Sequence, residues 1–193
     1  MPDLSPPFLL ASASPRRREL LAGAGFSFVV AVPGIPEDIE PGEAPDAAAL
    51  RLAGEKAEAV RVSRPDAVVL AADTVVVLDG RALGKPRDPD EARAMLLSLS
   101  GRTHEVVTGV SIRAPTAVEE LVARTQVRFR PLEREEIDRY VATGEPMDKA
   151  GAYGIQGGAA SFVEAISGSY TNVVGLPLAE AVISLRSLGV LPG

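Results

Sequence analysis

Apolar residues along the chain fall into two rhythms: short runs suited to strands, and stretches with apolar positions three and four apart suited to helices. Phe8-Leu9-Leu10-Ala11 predicts a strand. After Ser-Ala-Ser-Pro comes a helical pattern with Leu20, Leu21 and Ala24 on one side. Residues 26–32 predict a second strand, 33–45 a loop rich in Pro, Gly and acids, and 46–62 a helix. Ala67-Val68-Val69-Leu70-Ala71-Ala72 is continuously apolar, as in a strand covered on both faces, and the run stops abruptly at Asp73. Val75 to Leu78, Asp79-Gly80 and Ala82-Leu83 predict a hairpin. Asp88-Pro89-Asp90-Glu91 opens a helix with an N-cap, Pro at N1 and Glu at N3.

Residues 105–113 and 121–130 predict two longer, half-exposed strands as antiparallel neighbours. The second alternates, with Val122, Val127 and Phe129 among Arg124, Arg128 and Arg130. A helix over 133–142 places Ile137, Tyr140 and Val141 on one face. A Gly-rich stretch over 151–170 contains a short strand, and a last helix begins near Pro177 with Leu178, Val182, Leu185 and Leu188 at core spacing. There is no internal repeat and no heptad run. The fold class is α/β, with a mixed central sheet flanked by helices. The expected organisation is a single domain over residues 1–193, with room for two lobes around a cleft.

Composition narrows the chemistry. With 193 residues the chain can bury a sizeable core without disulfides or a structural metal. The absence of cysteine excludes disulfide frameworks, thiolate zinc sites and cysteine nucleophiles, and it agrees with a cytoplasmic location. No apolar run reaches the roughly 20 residues of a spanning helix, and Met1–Ser5 lacks the basic region of an export signal. With 20 basic against 26 acidic residues the net charge is −6, which offers no general attraction for nucleic acid or anionic membrane. A polyanionic ligand therefore needs a local positive pocket.

Several places could build one. Ser12-Ala13-Ser14-Pro15-Arg16-Arg17-Arg18 reads as a helix start with Ser14 at the cap and Pro15 at N1. Backbone N–H groups, the dipole, Ser12 and Arg16 or Arg17 would then converge on an anion; the other reading is a capped helix with solvated arginines. Lys56 lies in the middle of the apolar face of its helix, with Ala49, Leu52, Ala53, Ala59 and Val60 within about 60° of it. Its ammonium must either snorkel to water or meet a partner anion. Asp73, with Thr74 beside it, closes the most buried strand, where α/β sheets gather ligands; an Asp capping a turn is the competing reading. If the Phe8 strand runs parallel beside it, Ser12 and Asp73 share that edge. Glu37, Asp38 and Glu40 could approach the same edge and, with Asp73, offer oxygen ligands to Mg²⁺.

Lys85, in Gly84-Lys85-Pro86, adds a cation to a loop or is an ordinary surface lysine. His104 is the only histidine and suits a positioning or structural role better than general base catalysis. The stretch from Thr143 to Gly158 combines glycines that let backbone approach a ligand with Gln156, whose amide can both donate and accept toward a base edge. Tyr153, Ile155, Phe162 and Val163 are apolar anchors that a flexible linker would lack.

Six ordered motifs now carry a family resemblance: Leu10-Ala11-Ser12 with Ser14-Pro15-Arg16-Arg17; Ala72-Asp73-Thr74-Val75-Val76; Gly84-Lys85-Pro86; Ser100-Gly101-Arg102 with His104 and Thr108-Gly109; Asp148 to Gly157; and Asn172 to Pro177. Over nearly its whole length the chain resembles the Maf family of nucleoside triphosphate pyrophosphatases. The resemblance implies hydrolysis of a nucleoside triphosphate to the monophosphate and pyrophosphate, with a divalent metal, Mg²⁺ or Mn²⁺, in a nucleotide-binding cleft of a fold similar to inosine triphosphate pyrophosphatases. It implies Asp73 as proton acceptor; Arg16, Thr74 and Gln156 at substrate-specificity positions; and Ser12, Arg17, Glu37, Lys56 and Lys85 as catalytic or phosphate contacts. Asp73 and Glu37 would hold the metal. Asp73-Thr74-Val75-Val76 looks like the dTTP/UTP branch, whereas the 7-methyl-GTP branch typically has Ser-Asp-Gln there. The implied role is cleaning of nucleotide pools, modified pyrimidine nucleotides included. A homodimer, the commonest assembly, is the expected state. The alternatives are a nucleotide-binding regulator of septum formation and cell division, or a pyrophosphatase for 7-methyl-GTP or a deaminated purine triphosphate.

Overall fold

The structure is a computed structural model that describes residues 6–193; Met1–Ser5, on which the export reading rests, lie outside the described residues. Two compact units emerge. One comprises the chain through Asp73, Thr108–Ala123 and Gly175–Gly193; the other comprises Thr74–Val107 and Arg124–Val174. The boundaries fall inside strands β3 (Val68–Leu78), β5 (Thr103–Arg113) and β6 (Val118–Phe129), so each of these three contributes to both units.

In the first unit β1 (Phe8–Leu10) pairs in parallel with β2 (Val29–Val30) on one side and with β3 on the other, Leu9 matching Val29 and Val69. The strand order continues through β5 to β6. Side chains alternate across a strand, so Phe8, Leu10, Val68, Leu70 and Ala72 share a face. They pack with Leu21 of α1 (Pro15–Gly23) and with Ala181 and Leu185 of α6 (Leu178–Ser187). Leu9, Ala11, Val69 and Ala71 take the opposite face, against Ala57 and Val60 of α2 (Pro45–Arg61). Cover on both faces is the reason these strands read as continuous apolar runs.

Three expectations are corrected here. The second strand is two residues long rather than seven, and Val29 and Val30 are exposed at the sheet edge. Phe26 belongs instead to the end of α1: its N–H donates to Leu21 O (3.1 Å), Gly25 takes a left-handed φ of 85°, and its ring packs edge-on against Phe8. Second, β3 does not stop at Asp73 but runs on to Leu78, because valines continue the strand and the carboxylate has a partner. Third, β5 is almost wholly buried rather than half-exposed. It lies inside the sheet, and a Cβ at Gly109 would sit only 2.4 Å from the Ala49 carbonyl carbon of α2. The turn from Ala114 to Ala117 closes with an N–H to O bond of 2.8 Å, and so short a connection requires β5 and β6 to be antiparallel. β6 alternates as expected, although Val122 falls on its exposed phase.

In the second unit β4 (Arg81–Leu83) pairs antiparallel with β3 through Asp79 and Gly80, both at positive φ, as the Asp-Gly turn requires. Asp88 caps α3 (Pro89–Leu99), its carboxylate accepting from Glu91 N at 2.8 Å. α4 (Arg134–Ala142) buries Ile137, Tyr140 and Val141 as the periodicity predicts. Between residues 145 and 162 the chain forms three 3₁₀ turns, then β7 (Val163–Ser167), antiparallel to β6, and the unanticipated α5 (Tyr170–Val174). Phe129 stands edge to face against His104, Tyr153 and Phe162, and Phe162 in turn against Tyr140. No helix among the described residues is long and apolar enough to cross a membrane.

Candidate functional site

The start of α1 assembles the first donors. Ser14 caps the helix, accepting from Arg17 N at 3.5 Å, with Pro15 at N1. Ser12 Oγ accepts from Ser14 N (3.2 Å) and from Arg17 Nη1 (3.3 Å), while Arg17 Nε donates to Gly175 O at 2.7 Å. Arg17 is therefore a buried, oriented cation rather than a solvated surface arginine. Burial pulls its pKa below the usual arginine value, and the charges of Asp73 and Glu37 oppose that shift. Arg16 sits half-buried in the same turn.

Strand parity explains the second part. Asp73 shares its side of β3 with Val69 and Ala71, the side that α2 covers. Lys56 occupies the apolar face of α2 with only 5% of its side chain exposed, and its Nζ donates to Asp73 Oδ1 at 2.6 Å and to Glu37 Oε1 at 2.7 Å. Of the two readings of Lys56, the partner anion is the one observed. Lys56 pairs with Asp73 and Glu37 and not with Asp38 or Glu40, whose backbones bond nearby: Asp38 O accepts from Arg51 Nη2 (3.0 Å), and Glu40 N donates to Glu43 Oε2 (3.2 Å). A pocket of about 600 Å³ is lined by Ile35, Arg51, Ala59 and Val62 together with Asp38 and Glu40, and by none of Ser12, Arg17, Glu37, Lys56 and Asp73.

Ser12, Arg17, Glu37, Lys56 and Asp73 thus come together in the first unit. Their charges cancel, two cations against two carboxylates, so this group by itself exerts little net pull on a triphosphate. Two carboxylate oxygens that reach one ammonium are also placed to reach one small divalent cation, and Mg²⁺ needs only one or two protein carboxylates beside its waters. The residues fit the metal that the sequence motifs imply. Among the described residues no group of three or more His, Cys, Asp or Glu converges on a richer site.

The remaining predicted residues belong to the second unit. Thr74, half-buried, follows Asp73 along β3. Lys85 is exposed in the loop after β4, where Gly84 O accepts from Gly151 N at 3.0 Å, tying that loop to the segment leading toward Gln156. Gln156 is exposed. His104 is buried with its Nε2 2.8 Å from the Tyr153 hydroxyl, and burial lowers its pKa to about 4, so it is a neutral internal group in keeping with a structural role. Glu145 escaped the sequence reading. Between Gly144 and Pro146 it looks like any solvated loop acid, yet its carboxylate accepts from Tyr140 and from the Gly158 N–H.

Residues 7–188 match the family described as Maf-like protein. The dTTP/UTP pyrophosphatase of Symbiobacterium thermophilum is 56% identical over 183 residues, covering 94% of this chain and 93% of its own length. That of Geobacter metallireducens is 55% identical over 185 residues, covering 95% and 96%. Among solved structures, a HAM1 protein from Coxiella burnetii aligns over 93% of this chain and 98% of its own with a TM-score of 0.46 and 16% identity. With a family match spanning almost every described residue and relatives more than half identical along nearly their whole length, this chain belongs to the Maf family.

Proposed function

We propose that the protein hydrolyses nucleoside triphosphates, dTTP and UTP by preference, to the nucleoside monophosphate and pyrophosphate. The observation that carries this reading is the buried Lys56 ammonium held between Asp73 and Glu37, in the unit where Arg17 and Ser12 are also fixed. Relatives named dTTP/UTP pyrophosphatase support the choice of substrate. Nothing in the geometry favours a catalytically silent division regulator, since Asp73, Glu37, Lys56 and Arg17 are all held in place in one unit.

Asp73 accepts the proton of the water that attacks the α-phosphorus, and Lys56 holds its carboxylate oriented for that task. Arg17, oriented by Gly175 O and Ser12, and the N–H groups at the start of α1 bind phosphate oxygens and stabilise charge that grows as pyrophosphate departs. Lys85 adds a further phosphate contact. Arg16, Thr74 and Gln156 select the nucleoside. Asp73 and Glu37 would hold Mg²⁺ or Mn²⁺, which when bound supplies the missing positive charge and polarises phosphate oxygens. A cytoplasmic homodimer with no nucleic-acid or membrane partner belongs to the same proposal, supported by the net charge of −6 and the lack of cysteine.

The test is a panel of nucleoside triphosphates incubated with the protein and Mg²⁺ or Mn²⁺, measuring monophosphate and pyrophosphate together, with Asp73→Asn as control. Cleavage of dTTP and UTP ahead of 7-methyl-GTP and purines, lost in the variant, is the expected result. A purine preference overturns the substrate; orthophosphate and diphosphate as products overturn the reaction.

A further inference from the structure

Gln156 lies in a glycine-rich segment held by the buried side chains of Tyr153 and Ile155 and by one carboxylate that bonds its backbone. Glu145 Oε2 accepts from Gly158 N at 3.0 Å, and Glu145 Oε1 accepts from the Tyr140 hydroxyl at 3.0 Å. The Tyr140 oxygen in turn accepts from Gly154 N at 3.1 Å. The two backbone amides tied in this way flank Gln156 by two residues on either side. Tyr140 is itself buried, its ring edge-on to Phe162 at 5.3 Å, so the anchor is part of the core. Lys149 Nζ donates to Glu145 O at 2.6 Å and holds the backbone of Glu145 in turn.

The glycines fit this arrangement. A Cβ at Gly157 would fall 2.0 Å from Glu145 Oε1, and one at Gly154 would fall 2.6 Å from Lys149 Cε. A side chain at Gly157 would push the Glu145 carboxylate from its present place, and one at Gly154 would push the Lys149 side chain; φ is negative at Gly157, so backbone freedom does not call for glycine there.

We propose that Glu145, acting through Tyr140 and the Gly154 and Gly158 amides, is a positioning residue that sets base selectivity by fixing the backbone on both sides of Gln156. The proposal deepens the nucleotide reading above and rests on it. A glutamine amide can pair with the N3–H and O4 of uracil or thymine, or, turned over, with the N3 and N4–H₂ of cytosine. The amide turns over by rotation about its last torsion alone, so discrimination depends on neighbours that favour one orientation, and the fixed backbone on both sides of Gln156 sets where those neighbours stand; a displacement near 1 Å is enough to lose it.

The experiment compares kcat/KM for UTP and CTP in the full-length protein, with Glu145→Ala introduced alone and in a Gln156→Ala background. The UTP/CTP ratio is expected to fall about tenfold in Glu145→Ala, the size of one well-placed hydrogen bond, and by less than twofold when Gln156 is already absent. Glu145→Gln, which keeps one acceptor, should recover part of the ratio. An equal loss of kcat on both nucleotides, or the same fall in the Gln156→Ala background, overturns the proposal. Should Glu145→Ala not fold, Tyr140→Phe, which retains the ring packing, takes its place in the cycle.

Hydrogen exchange at the Gly154 and Gly158 amides separates this proposal from the substrate assignment. Loss of their protection in the Glu145 or Tyr140 variant upholds the clamp even if the wild-type protein prefers another nucleotide. Unchanged protection overturns it whatever the substrate.

Discussion

Lys56 Nζ lies 2.6 Å from Asp73 Oδ1 in a setting that leaves 5% of the lysine side chain and 11% of the aspartate side chain exposed. A pair so sheltered is worth little as net stabilisation, because both ions have lost water, but each becomes costly when the other is removed.

Lys56→Met should therefore destabilise the protein by about 3–5 kcal/mol and abolish turnover, while Lys56→Met combined with Asp73→Asn should cost clearly less than the sum of the two single changes. Urea unfolding of the three variants checks this. Additive losses would show that the pair is not energetically coupled.

Acid should weaken the fold through His104. Its folded pKa is depressed to about 4 by burial, whereas in the unfolded chain it titrates near the usual 6.5 of a histidine. The unfolded state then binds the proton first as pH falls. The neutral-His104 contribution is complete above pH 6.5 and is lost progressively down to about pH 4, an effect of about 3 kcal/mol at most. His104→Gln should flatten the fall in unfolding free energy between pH 6.5 and 4, measured by urea titration at several pH values.

Gly109→Ala introduces a Cβ against the Ala49 backbone, and α2 would have to retreat. A loss of about 1–3 kcal/mol is expected from overpacking, with a larger relative loss of activity because α2 carries Lys56. Thermal melting and kcat measured side by side would show both.

Arg17→Lys keeps the charge but cannot span Gly175 O and Ser12 Oγ together. A rise in KM of about tenfold for the triphosphate is expected, the cost of a lost charge-assisted contact. An unchanged KM would remove Arg17 from the phosphate contacts.

Much of this was legible in the chain. The period-2 and period-3.6 patterns locate β3, α2, α3, α4 and α6, and the Asp88 cap and the Asp79-Gly80 turn are local chemistry that needs no tertiary help. Lys56 in an apolar helix face already demanded an anion. The extent of β2, the passage of β3 through Asp73 and the burial of β5 were not legible, because each depends on what lies beside the strand rather than in it. Glu145 left no trace for a related reason: its meaning lies in Gly154 and Gly158 amides nine and thirteen positions away.

By itself, then, the sequence determined the helices and strands, the uncommon placement of Lys56, and the ordered motifs that mark the family, because propensity, capping and periodicity act over a few neighbouring residues. Only the tertiary structure decided which carboxylates meet Lys56 and what holds the loop of Gln156. Those choices are made by side chains far apart in the chain competing for one buried place, where a charge or a donor must find its partner or forfeit its water.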